Sequence, residues 1–126
     1  AHSLGLGSCY RRFMPKLIDI VEILYEHPEW VKLLFAELER RGIDYTTRRA
    51  DQLCYDPEAG VFPALTINRM SSSSWKRGHG HGIFAVRDYL AHLEEHQIPV
   101  INGSHAWSVE ISKARQLDLF RRAGVA

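Results

Sequence analysis

The stretch 68–82, NRMSSSSWKRGHGHG, concentrates groups that could do chemistry. Arg69, Lys76 and Arg77 supply positive charge, and Ser71, Ser72, Ser73 and Ser74 supply hydroxyl donors. Glycines around His79 and His81 let a ligand approach the backbone closely. Guanidinium, ammonium and hydroxyl groups together suit an anion, a carboxylate or a phosphate. The competing reading is a surface loop whose charges meet only water, and the residue types alone leave both open.

Metal chemistry is a weaker reading of the same residues. His79 and His81 would need a third ligand, and no Cys, Asp or Glu stands at ligand spacing. On an extended segment their rings would also point opposite ways. The expectation is therefore no metal site, with one histidine bonded to the loop or its ligand and the other facing solvent. A metal-dependent enzyme built on the pair stays as a minor alternative. No GxxxxGK[ST] occurs, no GxGxxG follows the first strand, and the GLG at 5–7 precedes any plausible strand. Cys9 and Cys54 form no CxxC and stand in no setting that would activate a thiol, so no catalytic residue is assigned. Trp30 is expected to pack at a helix start, and Trp75 to act as a lid or a contact with another domain.

These groups need elements to hold them. KLIDIVEILY (16–25) is nearly continuously apolar, as in a strand buried on both faces. HPEWVKLLFAELERRG (27–42) changes period: Val31, Leu34, Phe35 and Leu38 share a helical face, with Pro28 in the first turn and Gly42 past the end. IDYTTRRA (43–50) and VFPALTINR (61–69) read as strands, with YDPEAG (55–60) as a turn between them. A second amphipathic helix starts near Gly82 or Ile83, and IPVIN (98–102) is a short fourth strand. Gly103-Ser104 opens a third helical region in which Ile111, Ala114, Leu117 and Phe120 share a face, and Gly124 ends it. Alternation of strands and helices predicts an α/β domain of about four mainly parallel strands with helices on both faces. The 68–82 stretch then lies at a carboxyl end of the sheet, where such folds bind ligands.

Composition sets outer bounds. The chain has 126 residues, enough for one domain, with 16 Lys and Arg against 15 Asp and Glu. A net charge of +1 draws the molecule as a whole to neither nucleic acid nor anionic membrane, and no apolar run has the length of a membrane span. Sparse, separated cysteines point to a reducing, cytoplasmic setting. Residues 1–13 read as a leader or cloning remnant ahead of Met14, so the domain is taken as 14–126.

The segment 68–125 carries a more specific signal. An NR closing a strand, a polar loop, a helix leading to IPVIN, and then EISKARQLDLFRRAGV follow in order. This succession resembles the amino-terminal, preATP-grasp domain of the RimK-type alpha-L-glutamate ligases, members of the ATP-grasp superfamily. The resemblance covers nearly half the chain, and the first half matches only in element order. It implies a Rossmann-like domain of an ATP-dependent carboxylate–amine ligase working through an acyl phosphate. It further implies ATP with Mg2+ as cofactors, and amino-acid or peptide carboxylates and amines as substrates. Lys113 then stands where that family reaches the nucleotide, and Arg69 where the first domain faces the substrate. Ser71, Ser72, Ser73, Lys76, Arg77 and His79 would line the approach, and Arg69 and Lys113 are expected to enter one cleft. The family's glycine-rich phosphate loop and acidic magnesium ligands lie beyond the matched segment, so these 126 residues are expected to be inactive alone. Their partners would be the ATP-grasp domains, with a homo-oligomer also compatible. The alternative is a stand-alone α/β module that binds a small anion or a partner without catalysis.

Overall fold

The computed structural model describes residues 14–125; the leader expected at 1–13, with Cys9, lies outside the described residues. Strands β1 (Lys16–Tyr25), β2 (Tyr45–Arg49), β3 (Val61–Arg69) and β4 (Val100–Ile101) form one parallel sheet in the order β2-β1-β3-β4. Helices α1 (Lys32–Arg40), α2 (His81–Glu95), α3 (Ser104–Glu110) and α4 (Lys113–Arg122) complete the domain. It is a small Rossmann-like α/β unit, and β1 and β3 keep the bounds read from the sequence.

The two-residue period of β1 divides its side chains between two helical layers. Tyr25 meets Phe35 of α1 edge-on at 5.7 Å, and Phe35 stacks on Tyr45 at 5.3 Å. On the opposite face Leu24 joins Phe62, Val86, Leu90, Leu93, Ile98 and Trp107 in the buried core under α2. Burying each such side chain stabilises the fold by roughly 1.5–3 kcal/mol relative to leaving it exposed. Glu22 also lies on this face. It is buried because Tyr89 Oη donates to it at 2.7 Å, Thr66 Oγ1 at 3.2 Å, and Arg48 Nε stands 3.2 Å away.

Several boundaries differ from expectation for local reasons. The helix expected from 27 opens as a 3-10 turn, Pro28–Val31, in which Trp30 N–H bonds to His27 O, and the α-helix begins at Lys32. Trp30 packs at that start by stacking on His27 at 4.4 Å, yet remains 53% exposed. Full burial of β1 on both faces holds only for Glu22, Ile23 and Leu24. The pairing with β2 begins at Val21, so Leu17 and Ile18 lack a neighbour on that edge and stay exposed. The strand expected at 98–102 shrinks to Val100–Ile101, because Asn102 turns the chain with φ +58. The last helical region splits into two. Ser112 adopts an extended conformation and its Oγ accepts Arg115 N–H at 3.2 Å, capping α4 instead of continuing α3. Past α4, Gly124 takes φ +73 while Val125 N–H returns to Phe120 O, the terminator expected of that glycine.

Candidate functional site

All four strands run the same way, so their carboxyl ends share one edge of the sheet. There the chain leaves β1 toward β2 on one side and β3 toward β4 on the other. The reversal between β1 and β3 makes a topological switch point, where open α/β sheets bind ligands.

The loop after β3 is built rather than slack. Ser72–Arg77 form a 3-10 helix capped by Ser71, whose Oγ accepts Ser73 N–H at 3.2 Å. Gly78 closes it in the left-handed region at φ +78, where a side chain would be strained. His79 N–H then bonds to Ser74 O at 3.0 Å, and α2 begins at His81, slightly ahead of its expected start.

Glu26, immediately after β1, organises this loop. It is 1% exposed, and Arg77 grips it with Nε and Nη2, both at 2.8 Å. His79 Nδ1 lies 2.7 Å from the same carboxylate and donates to it, since an ionised carboxylate only accepts. The Arg77 bonds, reinforced by His79, hold the Glu26 carboxyl below its ordinary value against the opposing effect of burial. Arg77 also donates to Ser73 Oγ at 3.3 Å and lies over the Trp30 ring, 4.9 Å from its centre. The network continues outward: His79 Nε2 stands 3.6 Å from Asp51, which Arg49 grips at 2.9 and 3.0 Å. That Arg49 pairing, first among the causes, lowers the Asp51 carboxyl as well. His81 Nε2 reaches Asp51 O at 2.8 Å. Both histidines therefore turn onto one neighbour, where an extended loop would have sent them apart.

Arg69 belongs to a separate cleft beside this network. Its volume is about 200 Å³, and Trp30, Asn68, Arg69, Met70, Ser71, Asn102 and Glu110 line it. Two asparagines brace the floor by exchange. Asn68 Nδ2 donates to Asn102 O at 3.1 Å and Asn102 Nδ2 to Asn68 O at 3.2 Å, while Asn68 Oδ1 accepts Met70 N–H at 3.0 Å. The end of β3 is thereby tied to the end of β4, and Arg69 is held at the rim. Its side chain is exposed and makes no hydrogen bond or ion pair among the described residues. Glu110, at the end of α3, also lines the cleft and accepts Ser72 N–H at 3.4 Å.

The structure thus sorts the expected site residues into groups. Arg69 and Ser71 share the cleft, and Ser72 borders it through Glu110. Arg77 and His79 are engaged with Glu26, and Ser73 accepts from Arg77. Lys76 is exposed over Trp75, itself exposed, with Nζ 5.6 Å from the ring centre. Lys113 does not line the Arg69 cleft. Its ammonium donates along α4 to Gln116 Oε1 at 3.2 Å.

Sequence reasoning passed over Glu26, Asp51, Asn102 and Glu110. A signal existed for the first: Glu22 and Glu26 fall on one side of the otherwise apolar run 20–26, and a buried carboxylate requires a paired cation. The other three are ordinary surface residue types that only the tertiary turn at each strand end brings together. Searches against family models, curated proteins and solved structures found no match.

Proposed function

We propose that this chain is the amino-terminal substrate-binding domain of an ATP-dependent carboxylate–amine ligase of the RimK-like ATP-grasp type. The observation that carries the reading is Arg69 itself: an exposed guanidinium free of any carboxylate partner among the described residues, held at the carboxyl edge of a parallel sheet. The resemblance of 68–125 gives that residue the same assignment, and the Asn68–Asn102 brace draws on the NR and IPVIN motifs that carry it. A carboxylate would pair with Arg69 by the two-pronged geometry that guanidinium favours. Glu110 in the same lining suits a substrate that also carries an amine.

Chemically, the domain's share of such a reaction is to bind and orient. Two anions, substrate carboxylate and nucleotide, must be brought together against their repulsion, and a fixed cation offsets part of that cost. ATP with Mg2+ would supply the phosphoryl group that activates the carboxylate. Lys113, exposed at the start of α4, stays the residue proposed to meet the nucleotide, from outside the Arg69 cleft. Arg77 and His79 have a supporting role in this reading: they hold the loop on Glu26 rather than touch substrate.

The half-exposed apolar side chains of α4 also favour a domain that docks against others. Leu117 is 56% exposed and Phe120 49%, and α4 buries none of its residues fully.

The test is a titration of the chain with L-glutamate and short glutamyl peptides, followed by amide shifts, beside a phosphate-release assay with ATP, Mg2+ and the same compounds. The reading predicts binding that Arg69→Ala abolishes, and no turnover. Turnover by these residues alone, or binding indifferent to Arg69, would contradict it. The stand-alone anion-binding module differs in one respect: it would bind simple anions such as phosphate as well as it binds amino-acid carboxylates.

A further inference from the structure

A second groove lies away from the strand ends, between α2, α3 and the start of α4. Its volume is about 290 Å³, close to the roughly 300 Å³ at which ligand clefts begin. Arg87, Ser104, Trp107, Ser108, Ile111, Ser112 and Arg115 line it.

Its charge sets it apart from the other clefts. The cleft beside Glu22 satisfies its own charge, because Arg48, Tyr89 and Thr66 converge on that carboxylate. The Arg69 cleft holds Glu110 in the same lining as its cation. This groove presents two guanidinium groups, three hydroxyls and no carboxylate in its lining. Arg115 makes no side-chain hydrogen bond or ion pair among the described residues. Arg87 uses Nε on neighbouring Asp88 at 3.0 Å, which leaves its terminal nitrogens to donate. The Glu94 carboxylate, outside the lining, is occupied by Ser104 N–H at 2.8 Å.

The hydroxyls are partly spare. Ser104 Oγ is shielded from solvent without a hydrogen-bond partner among the described residues, a condition that costs stability unless a ligand or water completes it. Ser108 donates to His105 O at 2.7 Å and keeps its lone pairs, while Ser112 accepts Arg115 N–H and keeps its own proton to give. The apolar side of the lining is Ile111, 39% exposed, with the buried Trp107 beneath the groove.

We infer that this groove is a binding site for a small organic anion with a ring or branched apolar body and a carboxylate or phosphate head. Arg87 and Arg115 would hold the head, Ser104 and Ser112 would complete its hydrogen bonds, and Ile111 would cover the body above the buried Trp107. The site rests on its own residues and is independent of the role given to Arg69.

The experiment uses the Trp107 indole N–H, which donates to Ile83 O at 3.4 Å beside the groove, as a reporter in a nuclear magnetic resonance titration. Benzoate and phenyl phosphate are the probes, with inorganic phosphate and benzylamine as comparators. Both arginines are exposed, so Arg115→Gln and the double variant with Arg87→Gln should keep the dispersed spectrum of the fold. The expected result is saturable movement of the Trp107 signal with at least one ring-bearing anion, at least tenfold tighter than with inorganic phosphate or benzylamine. Affinity should fall at least tenfold in the double variant and stay unchanged in Arg69→Ala. Whether benzoate or phenyl phosphate binds identifies the head group. No movement with either probe, equal affinity in the double variant, or equal response to benzylamine would overturn the proposal.

Discussion

Arg77 and Glu26, separated by 51 residues in the chain, meet in a two-pronged ion pair with both bonds at 2.8 Å. The pair fills the switch point between β1 and β3 and fastens the serine-rich loop to the sheet. The Arg77 charge of this loop is thus already spent, and the charges left for a ligand at this edge are Arg69 in its cleft and the exposed Lys76.

Removing the Glu26 charge should loosen the loop. Glu26→Gln keeps the shape but loses the charge-assisted bonds to Arg77 and His79, at an expected cost of about 2 kcal/mol. Urea unfolding measures this as a lower midpoint at unchanged slope. A midpoint equal to the parent's would mean the network contributes nothing to the fold.

Acid should have the same effect by titration. The Glu26 and Asp51 carboxyls are both held below their ordinary 4.5 and 3.8, by Arg77 and Arg49 respectively. A group lowered in the folded state binds its proton more readily when unfolded. Its stabilisation is therefore present above the ordinary value and lost as pH falls through the lowered one. Stability measured against pH should decline from about pH 4.5 downward. Glu26→Gln should flatten that decline, and identical slopes in the two proteins would contradict it.

The loop serines should separate by role, although they are indistinguishable in sequence. Ser71 caps the 3-10 helix, so Ser71→Ala should cost about 0.5–1 kcal/mol, at the low end for a lost cap. Ser74 is fully buried with no partner for its hydroxyl among the described residues, so Ser74→Ala should be neutral or stabilising. Thermal unfolding of the two variants gives the comparison, and a larger loss at Ser74 would reverse it.

Much of this architecture was legible because its causes are local. The apolar β-branched run at 16–25 and the strand at 61–69 read directly as β1 and β3, and glycines 42 and 124 marked real stops. The pairing of loop cations was hidden because it depends on where β1 ends in space, which no spacing within 68–82 reports. The break at Ser112 was hidden differently: an apolar period ran across it, and a serine side chain captured the Arg115 N–H.

The outer face of α4 should matter for association more than for folding. Leu117 and Phe120 are half-exposed, so Phe120→Glu should change the unfolding midpoint little. If that face docks on other domains or copies, the parent chain should self-associate with rising concentration and the variant much less. Sedimentation over a concentration series distinguishes the cases, and a parent monomeric throughout would remove α4 as a docking face.

The central claim is that Arg69 is the carboxylate receptor at the mouth of the sheet. Calorimetric titration of the chain with L-glutamate, in the parent and in Arg69→Ala and Arg69→Lys, tests it most directly. The account predicts measurable binding in the parent, at least tenfold weaker binding in Arg69→Lys because the planar fork is lost, and none in Arg69→Ala. Equal affinity in all three proteins would contradict it.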